Sequence, residues 1–138
     1  MRVLGVDLGR KRIGLAVGES APGVASPRPV LAASGTLRQD ADAIARRATA
    51  ESADAIVLGL PLNHDGTPSR MSRVIDQLAE LLRERGQTVH TVDEFMTSQE
   101  AEAVLAESGL RASQQKRALD SEAACRIIER FFRELPPA

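Results

Sequence analysis

A chain of 138 residues, 43% hydrophobic and 27% charged, has the balance of one globular domain, and the domain is expected to span 1–138. Its net charge of −1 excludes a bulk polycation, so any nucleic-acid contact must come from a local basic surface. No apolar run approaches the ~20 residues of a membrane span, and the start of the chain lacks the features of a signal peptide.

The single cysteine, Cys125, excludes an internal disulfide and a thiolate zinc site, and its place in a helical pattern predicts burial. These features predict a cytoplasmic protein without a membrane partner. With no Tyr or Trp, the chain has little with which to build aromatic platforms for single strands. Sixteen of the 18 basic residues are Arg, the better residue for bidentate phosphate contacts.

The opening stretch, MRVLGVDLGRKRIGLAVG, predicts a β-hairpin. Apolar runs from Arg2 to Leu8 and from Ile13 to Val17 flank the polar break Gly9-Arg10-Lys11-Arg12. Alternation puts Leu4, Val6 and Leu8 on one face and Val3, Gly5 and Asp7 on the other. Gly14, Ala16 and Gly18 leave one face of the second strand nearly bare, open to another backbone or a ligand. Three prolines between Pro22 and Thr36 predict a loop or sheet edge, with a strand around Val30 to Ser34.

Residues 38–52 read as a helix, with Ala41, Ile44, Ala45 and Ala48 inward. Ala55 to Leu58 reads as a strand covered on both faces. Residues 59–70, GLPLNHDGTPSR, form a loop of turn residues between that strand and a helix from Pro68 to Arg85, where open α/β sheets place ligand contacts. Thr88 to Val92 is a further strand, ending at Asp93-Glu94. Thr97 and Glu100 fit a capping box for a short helix ending at Gly109. Ser113 is the expected cap of the last helix, whose outer face pairs Glu122 with Arg126 and Glu129 with Arg133. The order predicts an α/β fold: a mixed five-stranded sheet, antiparallel at the hairpin and parallel later, with helices on its faces.

Acids stand at the ends of these elements. Asp7 closes the first strand and Asp93-Glu94 the last, at one sheet edge if the two are parallel. Asp120 shares the core stripe of Ala124, Ile127 and Phe131. Carboxylates brought together repel unless a cation joins them, and hard oxygen donors suit Mg²⁺ or Mn²⁺. Two such ions support phosphodiester cleavage.

Arg10, Lys11 and Arg12 beside Asp7, and Lys116 and Arg117 before Asp120, are candidate nucleic-acid contacts on either side of the acids. Arg70 extends that surface, and Arg73 reads as solvated. Asn63 is a further candidate, although Asn63, Asp65 and Thr67 are equally the types that bond their own backbone in turns. His64 reads as a surface loop residue and His90 as a strand side chain without chemistry.

Asp7-Leu-Gly9, Gly14-Leu-Ala16, Gly59-Leu-Pro-Leu-Asn63 with Asp65-Gly66-Thr67, Asp93-Glu94, and Lys116 with Asp120 and Ala123-Ala124 together resemble the YqgF (RuvX) family across nearly the whole chain. The resemblance implies an RNase H-like fold related to RuvC-type resolvases. It also implies a nuclease that matures the 5′ end of 16S rRNA, within reach of ribosomal precursor particles. Asp7, Glu94 and Asp120 match the family's acidic catalytic and metal-binding positions, with Asp93 an alternative or supporting ligand. One departure is Phe95, where the family usually has Arg. Two other functions stay open: a Holliday-junction resolvase cutting branched DNA as a dimer, and a nucleic-acid or ribosome-binding module without chemistry. The chain is a monomer or a homodimer on this reading.

Overall fold

Among the described residues five extended stretches become one sheet, and three amphipathic stretches become helices that cover it. The computed structural model describes residues 1–63, 65–94 and 112–135, with the side chains of all of these except Glu94 and 112–120. Its elements are β1 (Arg2–Leu8), β2 (Arg12–Glu19), β3 (Val24–Ala32), α1 (Leu37–Ala50), β4 (Ala55–Pro61), α2 (Arg70–Glu84), β5 (Val89–Glu94) and α3 (Ala112–Glu134). The strand order is β3-β2-β1-β4-β5. The first three strands pair antiparallel, and β1, β4 and β5 run parallel. The carboxyl ends of these three parallel strands therefore share one edge.

Alternation along β1 divides the core in two. Leu4 and Val6 join Ile44, Ile56, Leu58, Ile75, Leu78 and Leu82 under α1 and α2. Val3 joins Val57, Val92, Ala124, Ile127, Ile128 and Phe131 under α3. The bare face of β2 serves this second layer. A Cβ added at Gly18 would lie 2.6 Å from Ile128 Cγ2, so glycine lets the helix settle close to the sheet. Cys125 is buried in the same layer, and burial pushes its thiol up to about 12.

Three expectations need correction. β3 begins at Val24, six residues before the expected Val30, and takes in Pro27 and Pro29. Among the described residues it is an edge strand that pairs only with β2, so residues without an N–H do not break a second ladder. α3 opens at Ala112, so Ser113 lies inside the helix instead of capping it. Glu129 meets Arg126 at 3.4 Å, not Arg133, and Glu122 meets Arg126 at 3.8 Å as expected. The expected helix from Thr97 to Gly109, His64 and Phe95 lie outside the described residues.

Helix starts follow side-chain chemistry. Thr36 caps α1, its hydroxyl accepting from the Gln39 N–H. Ser69 and Ser72 form a reciprocal capping box at α2. Among the described residues no helix is long and apolar enough to cross a membrane.

Candidate active site

Asp7 ends β1 on the face that carries Val3 and Gly5, directly opposite Gly14 of β2, and it is half-buried. Val57 and His90 occupy that same face of β4 and β5, because Gly5 pairs with Val57 and Val57 with His90. Counting on by twos, Val92 and then the position of Glu94 fall on this face as well, beneath α3. Asp93 falls on the opposite face and is exposed. Arg130 of α3 donates to the Asp93 backbone carbonyl at 2.5 Å, tying the end of β5 to the helix.

The third acid comes from α3. A Cβ on Gly5 would lie 2.8 Å from the Ala124 carbonyl oxygen and 2.5 Å from Ile128 Cγ1. One turn later, Ile128 and Phe132 meet Gly18, the partner of Val3, so the helix runs antiparallel to β1. From the Gly5–Ala124 contact, Asp7 lies about 7 Å up the strand. Asp120 lies about 6 Å up the helix, one turn before Ala124. Ser121 fixes that height, its hydroxyl donating to the Arg28 carbonyl at 2.7 Å, where Arg28 is joined through Leu15 to Val6. The backbone thus brings the positions of Asp7, Glu94 and Asp120 to one face at one edge.

The hairpin turn beside Asp7 is closed by the Gly9 N–H donating to the Arg12 carbonyl at 3.0 Å. Arg10 and Lys11 project from it exposed, while Arg12 is half-buried. Lys116 and Arg117 occupy α3 positions one turn and nearly one turn before Asp120.

The loop after β4 folds on itself. The Thr67 N–H (3.0 Å) and hydroxyl (2.6 Å) both donate to Asp65 Oδ1. Those bonds hold the Asp65 carboxyl below its usual range. Asn63 spends its amide on Thr67 Oγ1 (3.0 Å) and the Pro68 carbonyl (3.2 Å), the turn role open to it from the start. His90 lies against the Phe131 ring, centroids 5.1 Å apart.

No sequence pattern points to Arg130, whose neighbour Glu129 marks an ordinary outer helix face. Nor does any pattern show that Asp40, in the first turn of α1, is buried and accepts from the Ser34 N–H and hydroxyl, each at 2.8 Å. Neither contact follows from periodicity: the first joins segments 37 residues apart, and the second turns on the local path of the loop before α1.

A set of carboxylates with no thiolate or imidazole among them favours a hard divalent ion. Cys125 is buried with a thiol that stays protonated, and His90 is engaged with a ring. Among the described residues no three His, Cys, Asp or Glu side chains group to hold an ion. By residue type alone, the Asp7, Glu94 and Asp120 positions suit an oxygen-liganded metal.

The family model described as "RuvX: Holliday junction resolvase" matches residues 1–134. A protein of Nitratidesulfovibrio vulgaris named "Putative pre-16S rRNA nuclease" is 36% identical over 133 residues, covering 96% of this chain and 93% of that one. Its namesake in Azotobacter vinelandii is 38% identical over 135 residues, covering 97% and 94%. Among solved structures, the Fowlpox virus resolvase bound to Holliday junction DNA aligns with a TM-score of 0.61 at 14% identity, over 99% of this chain and all of that one. RuvC of T. thermophilus with a Holliday junction substrate aligns at 0.60 and 15% identity, over 96% and 94%. At such identities the likeness is one of fold, and it makes this sheet with its flanking helices an RNase H-like fold.

Proposed function

The chain belongs to the RuvX family, and from that premise we propose that it is a metal-dependent nuclease that cuts structured RNA at the 5′ end of pre-16S rRNA. The observation that best supports this reading is the convergence of the Asp7, Glu94 and Asp120 positions at one edge, on the face covered by α3. On this reading Asp7, Glu94 and Asp120 hold two ions. Strand parity favours Glu94 over Asp93, which stands across the sheet from Asp7. Bound there, Mg²⁺ or Mn²⁺ supplies an activated water and charge stabilisation at the leaving oxygen.

The chain's own residues supply position. Asp7 stands on a central strand hydrogen-bonded on both sides, which fixes it within the small tolerance that metal ligation needs. Arg130 holds the end of β5, and with it the backbone that carries Glu94. Arg10, Lys11 and Arg12 on one side and Lys116 and Arg117 on the other grip the phosphate backbone without reading sequence. Asn63 acts by shaping its loop. Maturation of rRNA places the protein in the cytoplasm.

The test is cleavage of a precursor 16S rRNA fragment beside a four-way DNA junction, each with Mg²⁺, Mn²⁺ or excess chelator. Cleavage of the RNA that stops with chelator and returns with metal is expected. Full activity in excess chelator overturns the metal role. Preferential cutting of the junction makes the protein a resolvase of branched DNA, and binding without cleavage makes it a nucleic-acid-binding module.

A further inference from the structure

Across the sheet from the acids, at the same edge, lies an open cleft of about 290 Å³. Its floor is apolar: Leu8, Ala33, Leu37, Met71 and Val74. Leu8 directly follows Asp7 and faces the other side of the sheet, so only the β1–β2 turn separates the cleft from the candidate active site. The rim is different in character. Arg10 lines it directly, and Lys11, Arg38, Arg70 and Arg73 each adjoin a lining residue or its rim in the chain. All five are exposed, and among the described residues none of them forms an ion pair. Of the acids, Asp40 lines the wall but is already bonded to Ser34.

A hydrophobic hollow with Arg10 in its lining, and four more exposed cations next in the chain to lining residues, matches one kind of ligand well, an apolar flat group joined to anions. A protein partner with an apolar anchor would need the same ring of charge answered by acids at each point. A polyphosphate alone would leave the floor without a use. The volume falls just below the ~300 Å³ at which drug-sized sites begin, a size suited to a single base.

We propose that this cleft is a nucleotide subsite. It takes one unstacked base of the strand being cut, a few nucleotides from the scissile phosphate. The base lies on Leu37, Met71 and Val74, and Arg10 with Arg38, Arg70 and Arg73 holds the phosphates on either side. The strand then bends over the β1–β2 turn from the cleft to the acids. Recognition is by an unpaired base and its backbone, as is general for single-stranded RNA. Aliphatic contacts instead of aromatic ones make it tolerant of base identity. The substrate class that follows is a junction between paired and unpaired RNA, not a continuous duplex. The inference rests on the nuclease reading and adds to it a place for the flanking strand.

The three methionines make the test direct. Methyl-¹³C-methionine protein, in chelator to prevent turnover, is titrated with a single-stranded oligoribonucleotide of mixed sequence, and binding is followed in parallel by fluorescence anisotropy. The Met71 methyl resonance is expected to shift as RNA binds. Met1, at the far end of β1, is expected to stay in place. In the metal-loaded protein, Met71→Gln is expected to raise KM about fivefold, a loss of about 1 kcal/mol, with kcat unchanged. Arg38→Ala with Arg70→Ala is expected to flatten the salt dependence of binding by about 0.7 for each phosphate that is no longer neutralised. RNA that is bound and cut while Met71 stays unmoved overturns the subsite and leaves the nuclease standing. RNA that is neither bound nor cut overturns both.

Discussion

Asp65 accepts two hydrogen bonds from one threonine, and both favour its charged form. The hydroxyl bond from Thr67 is the larger cause and the backbone bond the second, and together they lower the carboxyl from its ordinary 3.8. A group whose folded value is depressed stabilises the fold fully above its unfolded value. That contribution is lost as pH falls through the depressed value. The loop after β4 should therefore loosen only in acid below the usual carboxylate range. Thr67→Val keeps the backbone bond and removes the hydroxyl. In this variant the Asp65 carboxyl, followed by ¹³C NMR, should titrate closer to 3.8. An unmoved titration would show that the hydroxyl bond does not form in solution.

Cys125 is the opposite case, a group whose charged form is disfavoured. Burial raises its thiol to about 12, with Glu122 and Glu129 adding to the effect. Thiolate is the reactive species. At neutral pH the folded protein should therefore react with a thiol reagent only as fast as α3 opens, and denaturant should release the full rate. Rapid labelling of the native protein would remove Cys125 from the core.

Among the secondary-structure elements, the seam between β1 and α3 is the sensitive part. A methyl group on Gly5 meets backbone, the Ala124 carbonyl oxygen at 2.8 Å, as well as the Ile128 side chain. One on Gly18 meets the side chains of Ile128 and Phe132 first. Side-chain ends can rotate away and a helix backbone cannot, so the two substitutions should differ. Gly5→Ala should cost about 1–3 kcal/mol as overpacking, read as a lower melting temperature, and Gly18→Ala should cost less. Gly5→Ala should also lose more cleavage than its stability loss explains, since the helix that moves off β1 carries Asp120. Equal stability and equal activity for the two variants would mean that the seam has slack.

Across the molecule, the acids should behave as one unit. Asp7→Asn and Asp120→Asn should each abolish cleavage, and the double variant should be little worse than either, because groups that act together are strongly non-additive. Stability without metal should hold or rise in each, since one charge leaves a repelling group. Binding of uncut RNA should survive, as the basic residues are untouched. A folded Asp120→Asn protein that cleaves at the normal rate takes Asp120 out of the site.

The hairpin, the buried strand Ala55 to Leu58 and the two amphipathic helices were legible in the sequence because their signals are local. A period of two in Val3 to Leu8 and a helical period in Met71 to Leu82 need no knowledge of the rest of the chain. The proposed acids stand out in the sequence as types out of place, an Asp on an apolar strand and another on an apolar helix stripe. The extent of β3 was not, because proline is forbidden or tolerated according to whether a second neighbour exists, and that is settled by strand order. The choice of face between Asp93 and Glu94 depends on the register of β5 against β4, which no spacing within β5 contains. The cleft walled by Leu8, Leu37 and Met71 joins three segments far apart in the chain, as does the bond from Arg130 to Asp93. Such features arise from where elements are brought when α1 and α2 pack on one face and α3 on the other. Which elements form, and which face of each is apolar, is written in short stretches of residues and can be read there. Which residues meet is not, because contact between distant segments exists only once the chain has packed.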